Sequence, residues 1–456
     1  MPRLPKSQHR GRNGGGSLRF VSYGATLAKR RNSRLGAAGF RYTVLKGHGS
    51  EGQHRGMRGI LCGLFLCSAF ALGDARAAEP SDEMIARGKV LAVAGDCASC
   101  HTADPAKPFA GGKRIDTPFG PIYSPNLTPD RDTGIGGWSE QDFYRALRLG
   151  VAPDGSLYYP AFPYPNFSKM TRDDIFAVRA YLGTLAPIAN KAPPPALYFP
   201  LNFRVVMHAW NFLFFRPGIL EPDQQKGTDW NRGRYLVEGP GHCGACHTPK
   251  NILGADKRGQ RFAGGAVNGY FAPRLDAAAR SGLKSWSTED VVEYLQSGRN
   301  ARSHAGGPMA EVVANSTSKM SEADVRGIAF YLKSLPSGPP EPAGPLPTET
   351  EMKAGKEIYG RNCIACHEAD GSSSPRVYPP LNGNALLQSA DPASTLRIIL
   401  DGAQTLTTPR APNAGSMPGY AKLSDKEIAD VTNYIRNAFG NAAPLVTADQ
   451  VAKARR

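Results

Sequence analysis

The sequence predicts an all-α chain built from three tandem domains. The pentapeptide Cys-x-x-Cys-His occurs three times, with its first cysteine at positions 97, 243 and 363. A short helical pattern that contains a glycine precedes each pentapeptide, and a Pro-x-Leu tripeptide follows it. Each block then closes on an amphipathic helical pattern with acidic residues in its first turn. This repeated order is typical of three copies of one small helical domain.

The three pentapeptides match the attachment signature of c-type haem. Two thiols one helical turn apart can form thioethers with the two vinyl groups of one haem, and the adjacent histidine then reaches the iron. We therefore predict three covalently bound haem c groups, each with one iron. The predicted attachment residues are Cys97, Cys100 and His101, then Cys243, Cys246 and His247, then Cys363, Cys366 and His367.

The cysteine count argues against two other interpretations. Six of the eight cysteines lie in the pentapeptides, and Cys62 and Cys67 lie in an apolar N-terminal stretch. A zinc site would need a second ligand pair for each Cys-His set, and no cysteine remains to supply it. A disulfide framework would not require a histidine after every second cysteine.

The N-terminus carries the features of a secretory signal. Residues 57–78 combine Arg58, an apolar run and the small-residue site Ala75-Arg76-Ala77, which predicts a cleaved signal peptide and a periplasmic protein. Residues 1–56 form a basic extension. It is either a disordered segment or lies upstream of the true translation start at Met57, and we favour the second interpretation. The first 78 residues hold +12 of the net charge of +16, so the basic composition predicts no nucleic-acid partner.

The elements of each copy follow in the same order. The domains are predicted at residues 79–190, 228–336 and 348–441. Their opening helical patterns contain Gly88, Gly233 and Gly355, and their Pro-x-Leu tripeptides begin at Pro125, Pro273 and Pro379. Thr171, Ser321 and Ser424 precede the closing helices, and we expect them to be N-caps.

Composition marks the segments between and after the domains. Residues 191–227 are predicted to be an aromatic linker. Within it, residues 198–215 are interrupted by polar side chains, which argues against a membrane span. We interpret them as an inter-domain or partner-facing packing surface, with a membrane-interface helix as the alternative. Residues 337–347 are a proline-rich linker, and residues 442–456 a short polar C-terminal tail.

The sixth iron ligand decides whether a haem transfers electrons or binds small molecules. A methionine thioether favours ferrous iron and raises the potential, as electron carriers require. Met170 is the only methionine between His101 and the aromatic linker, and Met417 is the only one after His367. We expect these two to be the distal ligands of the first and third haems.

The second copy offers more than one distal ligand. Met320 stands at the same place as Met170, directly before a predicted helix cap, whereas Met309 follows Gly-Gly-Pro in a stretch that resembles the loop of Met417. We favour Met309, because a loop residue reaches the iron more freely. His304 is a weaker alternative that would give a lower-potential haem.

This layout resembles class I cytochrome c over nearly all of residues 80–440. The resemblance implies close contacts between a glycine and an aromatic residue where the first and last helices cross, which would pair Gly88 with Tyr181. The corresponding pairs are Gly233 with Tyr331 and Gly355 with Tyr434. It also implies that the proline carbonyl of each Pro-x-Leu accepts the Nδ1 proton of the proximal histidine.

Three stretches make the resemblance more specific, namely residues 95–102, 158–170 and 235–249. They resemble the three-haem cytochrome c subunit of bacterial membrane-associated dehydrogenases. That family serves gluconate 2-dehydrogenase, sorbitol and fructose dehydrogenases, and quinoprotein alcohol dehydrogenases. The resemblance implies a separate partner subunit that carries flavin or pyrroloquinoline quinone and oxidises a sugar acid, polyol or alcohol. This chain would pass the electrons to ubiquinone or a terminal oxidase, with no catalytic residues of its own.

The sequence departs from this family at two places. Relatives often have methionine where Phe162 stands. They also often end in an apolar anchor, whereas residues 442–456 of this chain are short and polar. Association with the outer face of the inner membrane would then come through partners or through residues 198–215. Two other functions stay open: a multi-haem cytochrome c peroxidase with one five-coordinate iron, and a free-standing soluble carrier to a terminal oxidase.

Overall fold

The computed structural model describes residues 79–341 and 343–455, so the extension predicted at 1–56 and the signal predicted at 57–78 lie outside the described residues. Helices are the main regular secondary structure of the described part, as predicted. The helices of its first portion are α1 (Asp82–Ala94), α2 (Cys97–His101), α3 (Glu140–Leu149), α4 (Tyr164–Phe167), α5 (Arg172–Gly183) and α6 (Val206–Phe214). Then follow α7 (Thr228–Glu238), α8 (Gly244–His247), α9 (Thr288–Ser297), α10 (Pro308–Asn315) and α11 (Glu322–Lys333). The last are α12 (Glu349–Asn362), α13 (Ile364–His367), α14 (Ala393–Asp401), α15 (Asp425–Asn437) and α16 (Ala448–Ala454).

Three long helix pairs organise the chain: α1 packs on α5, α7 on α11, and α12 on α15. We refer to residues 79–190, 228–336 and 348–455 as the first, second and third units. Each unit has its own cluster of buried apolar residues, built mainly from its helix pair and the helix between them. The first two units also share packing, because Ala94 belongs to the second cluster and Tyr235 packs against the first.

Each helix pair crosses at a glycine. A Cβ atom on Gly88 would lie 1.8 Å from the carbonyl oxygen of Ala177 and 3.0 Å from Cβ of Tyr181. A Cβ atom on Gly355 would lie 2.7 Å from Cβ of Tyr434, so these two glycine–aromatic contacts are confirmed.

In the second unit the nearest neighbour of Gly233 is a second glycine. A Cβ atom on Gly233 would lie 1.8 Å from the carbonyl oxygen of Gly327, one turn before Tyr331. Tyr331 stacks edge-on against Trp230, with ring centroids 5.3 Å apart. The closest approach at Gly233 is thus between the backbones of α7 and α11.

The closing helices begin at the predicted caps. The side chains of Thr171, Ser321 and Ser424 each accept a hydrogen bond from the backbone N–H three residues later. At Ser424 the contact is reciprocal, because Glu427 accepts from the Ser424 backbone N–H and completes a capping box. These contacts satisfy N–H groups that the first turn of a helix leaves without partners.

Three short antiparallel strand pairs accompany the helices, and the sequence did not indicate them. They are β1 (Arg114–Ile115) with β2 (Ile122–Tyr123), β3 (Gly265–Val267) with β4 (Tyr270–Ala272), and β5 (Ala403–Gln404) with β6 (Ser416–Met417). Strands of two or three residues carry no readable alternation of apolar and polar side chains. The third pair matters for the site, because it sets Met417 opposite Ala403.

The C-terminal segment corrects one predicted boundary. Residues 442–456 were expected to be a polar tail, but α16 packs on α15, and Val446 and Val451 are buried in the third cluster. The Asn433 side chain donates to the carbonyl of Val446 at 2.9 Å and accepts from its N–H at 2.7 Å. This segment therefore belongs to the third unit.

The aromatic linker holds one helix and a large exposed apolar surface. Residues 196–198 bond through their backbones to Pro121 and Phe119 of the first unit, and α6 follows. Phe199, Val205 and Phe212 remain 80, 71 and 78% exposed. Within the described residues, none of the helices is long and apolar enough to cross a membrane.

Candidate haem sites

Each pentapeptide folds as one helical turn directly after the opening helix of its unit. The turns are α2 after α1, α8 after α7, and α13 after α12. Helical residues three and four positions apart lie on the same face, so each turn presents its second cysteine and its histidine beside the first cysteine. The local structure thus gives three equivalent groups of two thiols and one imidazole.

Each pentapeptide histidine makes the same kind of hydrogen bond, to the carbonyl oxygen of a proline. Nδ1 of His101 lies 2.7 Å from the carbonyl oxygen of Pro125, and Nδ1 of His247 lies 2.6 Å from that of Pro273. In the third unit the distance from His367 to Pro379 is 3.2 Å. A carbonyl oxygen only accepts, so Nδ1 carries the proton and Nε2 keeps its lone pair. The proline contacts implied by the resemblance are confirmed, and each ring is fixed with Nε2 free to bind a metal.

Burial keeps these imidazoles neutral. It lowers the pKa of His101 to about 4, although the hydrogen bond to Pro125 acts in the opposite direction. Burial also lowers the pKa of His247 and of His367. A neutral imidazole with a free Nε2 is the form that ligates iron.

The six cysteines of the pentapeptides are unpaired. Burial raises the pKa of Cys97 and Cys243 to about 12. It raises the pKa of Cys100 and Cys363 to about 11. Burial therefore disfavours the thiolate form of these side chains. In the described ranges, no group of three or more His, Cys, Asp or Glu side chains is arranged to hold a metal ion by itself.

The third unit contains a cavity beside its pentapeptide. Cys363, His367 and Met417 line it, together with a mainly apolar wall from α12, α14 and α15. A second cavity shares these three residues and adds Cys366. A thioether-linked haem fits this set, because both thiols, one imidazole and one thioether face a space with apolar walls.

The structure separates the methionines into two kinds of position. Met417 lies on β6 and lines both cavities of the third unit. Met170 and Met320 are 2 and 8% exposed and directly precede the N-caps of α5 and α11. In the third unit that same position holds Leu423, an apolar residue of the kind that packs against the first turn of a helix.

Met309 lies in a helix, which corrects the expectation of a loop. It occupies the first turn of α10, directly after Pro308, and packs partly buried against the second cluster. Met320 belongs to that cluster, and Cys243 packs against it. Both methionines therefore share the apolar cluster that Cys243 contacts.

His304 belongs to the second unit but does not lie at the second pentapeptide. Its ring lines both cavities of the third unit, alongside His367 and Met417. Both ring nitrogens are buried without a protein partner. Burial lowers the pKa of His304 to about 4. The weaker alternative of His304 as a ligand of the second haem is therefore wrong, because the residue faces the third site.

The first and second pentapeptides lie side by side. Nε2 of His242 lies 3.2 Å from the carbonyl oxygen of Gly95, two residues before the first pentapeptide. The side-chain amide of Asn315 donates to Oγ of Ser99 at 2.8 Å.

Two buried charged residues support the sites, and no sequence pattern indicates them. Arg148 donates from Nη2 to the carbonyl oxygen of Met170 at 2.6 Å and also bonds the carbonyl of Ser168. Glu238 accepts from the hydroxyl of Tyr331 and lies 3.1 Å from Nη2 of Arg261. Ordinary helical spacing indicates neither contact, because the partners come from distant parts of the chain.

Comparison with known proteins assigns the family. Residues 85–186 and 352–439 match the family model described as Cytochrome c. The cytochrome c subunit of the quinone alcohol dehydrogenase of Gluconobacter oxydans is 38% identical over 413 residues, covering 85% of each chain. The gluconate 2-dehydrogenase cytochrome c subunit of Pantoea cypripedii is 38% identical over 413 residues, covering 85% of this chain and 92% of that one. The fructose dehydrogenase cytochrome subunit of Gluconobacter japonicus is 35% identical over 402 residues, covering 81 and 82%. The chain thus belongs to the family of cytochrome c subunits of bacterial dehydrogenases.

Proposed function

We propose that this chain carries three covalently bound haem c groups in three class I cytochrome c-like domains. The attachment residues are Cys97, Cys100 and His101, Cys243, Cys246 and His247, and Cys363, Cys366 and His367. The observation that carries the proposal is the threefold hydrogen bond from a pentapeptide histidine to a proline carbonyl, at 2.7, 2.6 and 3.2 Å. A bond repeated at three sites prepares three imidazoles for the same kind of ligand.

The proposed distal ligands are Met170, Met309 and Met417. Met417 is supported by its place in the cavity beside His367. Met309 is supported by its place in the first turn of α10, where it packs against the second cluster, as Cys243 does. Met170 is the methionine available in the first unit, and Arg148 fixes its backbone.

The chain then acts as the electron-transfer subunit of a dehydrogenase complex. Haem iron cycles between ferric and ferrous states and so carries one electron at a time. The named relatives are cytochrome subunits of alcohol, gluconate and fructose dehydrogenases. We infer a partner subunit with flavin or pyrroloquinoline quinone that oxidises an alcohol, polyol or sugar acid, and ubiquinone or a terminal oxidase as acceptor.

The protein's own part in this function is to hold and insulate the carriers. The proline carbonyls fix the proximal imidazoles, and the apolar walls of the cavity keep water from the iron. The contacts between the first and second pentapeptides support a short electron path between those two sites.

The exposed apolar residues of 198–215 are the proposed partner-facing surface. Phe199, Val205 and Phe212 project from a segment that is anchored to the first unit by backbone hydrogen bonds. Exposed apolar patches of this kind mark contact with protein or membrane. We place the chain in the periplasm, peripheral to the outer face of the inner membrane, on the basis of the signal-like residues 57–78.

Substrate-driven reduction tests the function. The tagged chain is purified from its own bacterium, co-purifying chains are identified, and haem reduction is followed by visible absorption after addition of ethanol, gluconate or fructose. The proposal predicts a flavin or quinone dehydrogenase in the preparation and reduction by its substrate. Phe199→Ser with Phe212→Ser should weaken the complex without loss of haem.

Two outcomes would contradict the proposal. Rapid binding of cyanide or peroxide to the oxidised protein would favour the multi-haem peroxidase. A chain that purifies alone and reduces a terminal oxidase, with no dehydrogenase required, would favour the free-standing carrier.

A further inference from the structure

The third cavity receives a side chain from the second unit. The loop between α9 and α10, residues 298–307, is held against the third unit, since Asn384 donates from its side chain to the carbonyl oxygen of Arg302 at 3.2 Å. Within the loop, Asn300 accepts from the N–H groups of Arg302 and Ser303 at 2.8 and 2.9 Å. His304 follows directly and enters the cavity. Its position is thus fixed from both units.

The polar groups of the cavity wall divide into satisfied and unsatisfied ones. Asn384 uses its two N–H bonds on the carbonyls of Arg302 and Pro380. Both ring nitrogens of His304, and the hydroxyl of Thr395 on α14, are buried without a protein partner. Buried polar groups in proteins are nearly always hydrogen-bonded, so these two residues indicate a polar group of a ligand in the same space.

The cavity wall offers that ligand almost no charge. Among the described residues that line the two cavities, none is Lys, Arg, Asp or Glu, and the basic side chains are His304 and His367. Nδ1 of His367 is engaged by Pro379, and its Nε2 would bind the iron. His304 is the buried nitrogen donor of this lining that has no protein partner, and it is thus available to an anionic group.

A haem has few polar parts that an imidazole can bind. Its iron is served by His367 and Met417 in the proposed function, on which this inference rests. What remains are its two propionate carboxylates. We propose that His304 is a haem-binding residue of the third site and that its ring N–H donates a hydrogen bond to a haem propionate. The second unit thereby completes the site of the third, and Thr395 supplies a second donor in the same cavity.

This contact affects the potential of one haem. An N–H donor partly offsets the negative charge of a carboxylate, and an unscreened negative charge near iron favours the ferric state. Removing the donor should therefore lower one potential and leave the other two unchanged. The iron ligands stay the same, so the weak absorption band of the Met–iron bond near the red end of the visible spectrum should keep its intensity.

The test uses the full-length holoprotein with His304→Ala, His304→Gln and the control His208→Ala, a histidine that is exposed on α6. Intact mass counts the haems, and an optical redox titration measures their potentials. We expect three haems in each variant, a lowered potential for one haem in H304A, a smaller shift in H304Q, and none in H208A. If H304A binds only two haems, the potentials of H304Q are compared with those of the wild type instead.

The outcomes separate the two claims. A wild-type mass with fewer than three haems would contradict the proposed function. Three haems with unchanged potentials in H304A and H304Q would overturn the role of His304. A change in the Met–iron band on H304A would also overturn it, since His304 would then be an iron ligand.

Discussion

A methyl group at Gly355 should drive apart the helices that frame the third site. A Cβ atom there would lie 2.1 Å from the carbonyl oxygen of Asp430 on α15, and real Cβ atoms keep at least 3.0 Å, so α15 would have to move by about 0.9 Å or more. The obstructing atom is backbone and cannot rotate away. Overpacking costs about 1–3 kcal/mol, and we take the upper end, about 3 kcal/mol, because the obstructing atom is backbone. A gain of about 1 kcal/mol in helix propensity leaves a net loss of about 2 kcal/mol in the third unit.

Hydrogen exchange measures this loss within one unit of a multi-unit chain, where a single unfolding transition is not expected. Peptides from α12 and α15 of Gly355→Ala should exchange about 30-fold faster, the equivalent of 2 kcal/mol, while peptides from α1 and α5 stay unchanged. The matched control is Gly360→Ala in the same helix, where a Cβ atom meets nothing within 4 Å. It should slow exchange slightly, because it raises the free energy of unfolding by roughly 0.4–1 kcal/mol. Equal exchange in the two variants would refute the close crossing of α12 and α15.

Two further predictions concern the second unit. Met309→Ala should remove one third of the Met–iron absorption band and lower one potential, whereas Met320→Ala should cost only packing stability of about 2–5 kcal/mol; the reverse result in absorption spectra would assign Met320 as the ligand. Glu238→Gln should destabilise the contact between the first two units by roughly 1–3 kcal/mol, measured by thermal unfolding. Burial acts to raise the pKa of Glu238, but Arg261 and Lys169 hold it below 4.5. A carboxylate with a lowered pKa contributes stability that is complete above its unfolded pKa, so the difference between wild type and variant should be lost as the pH falls through the lowered pKa of the folded state. A difference that does not shrink on acidification would show that the charge of Glu238 is not its cause.

The sequence predicted those parts of the sites that are local in the chain. The pentapeptides form single helical turns, and the caps at Thr171, Ser321 and Ser424 form as expected. The turns and caps depend on a few consecutive residues and leave a readable pattern. The proline carbonyls also meet their histidines, as the resemblance implied, although 24, 26 and 12 positions separate the partners.

The parts that were missed depend on contacts between distant residues. His304 was considered for the second unit because it lies there in sequence, yet the loop that carries it packs on the third unit. The polar composition of residues 442–456 concealed two valines that are buried against α15. Met309 follows Gly-Gly-Pro, which indicates a loop, but proline is well suited to the first turn of a helix and α10 begins there.

Haem content tests the central claim most directly. The intact mass of the mature protein, produced with the periplasmic haem-attachment machinery, should exceed the mass of its polypeptide by three haems. Replacing Cys363 and Cys366 together by alanine should lower that excess to two, and the corresponding pairs in the first and second units should do the same. An excess of two haems or fewer in the wild-type protein would contradict the account.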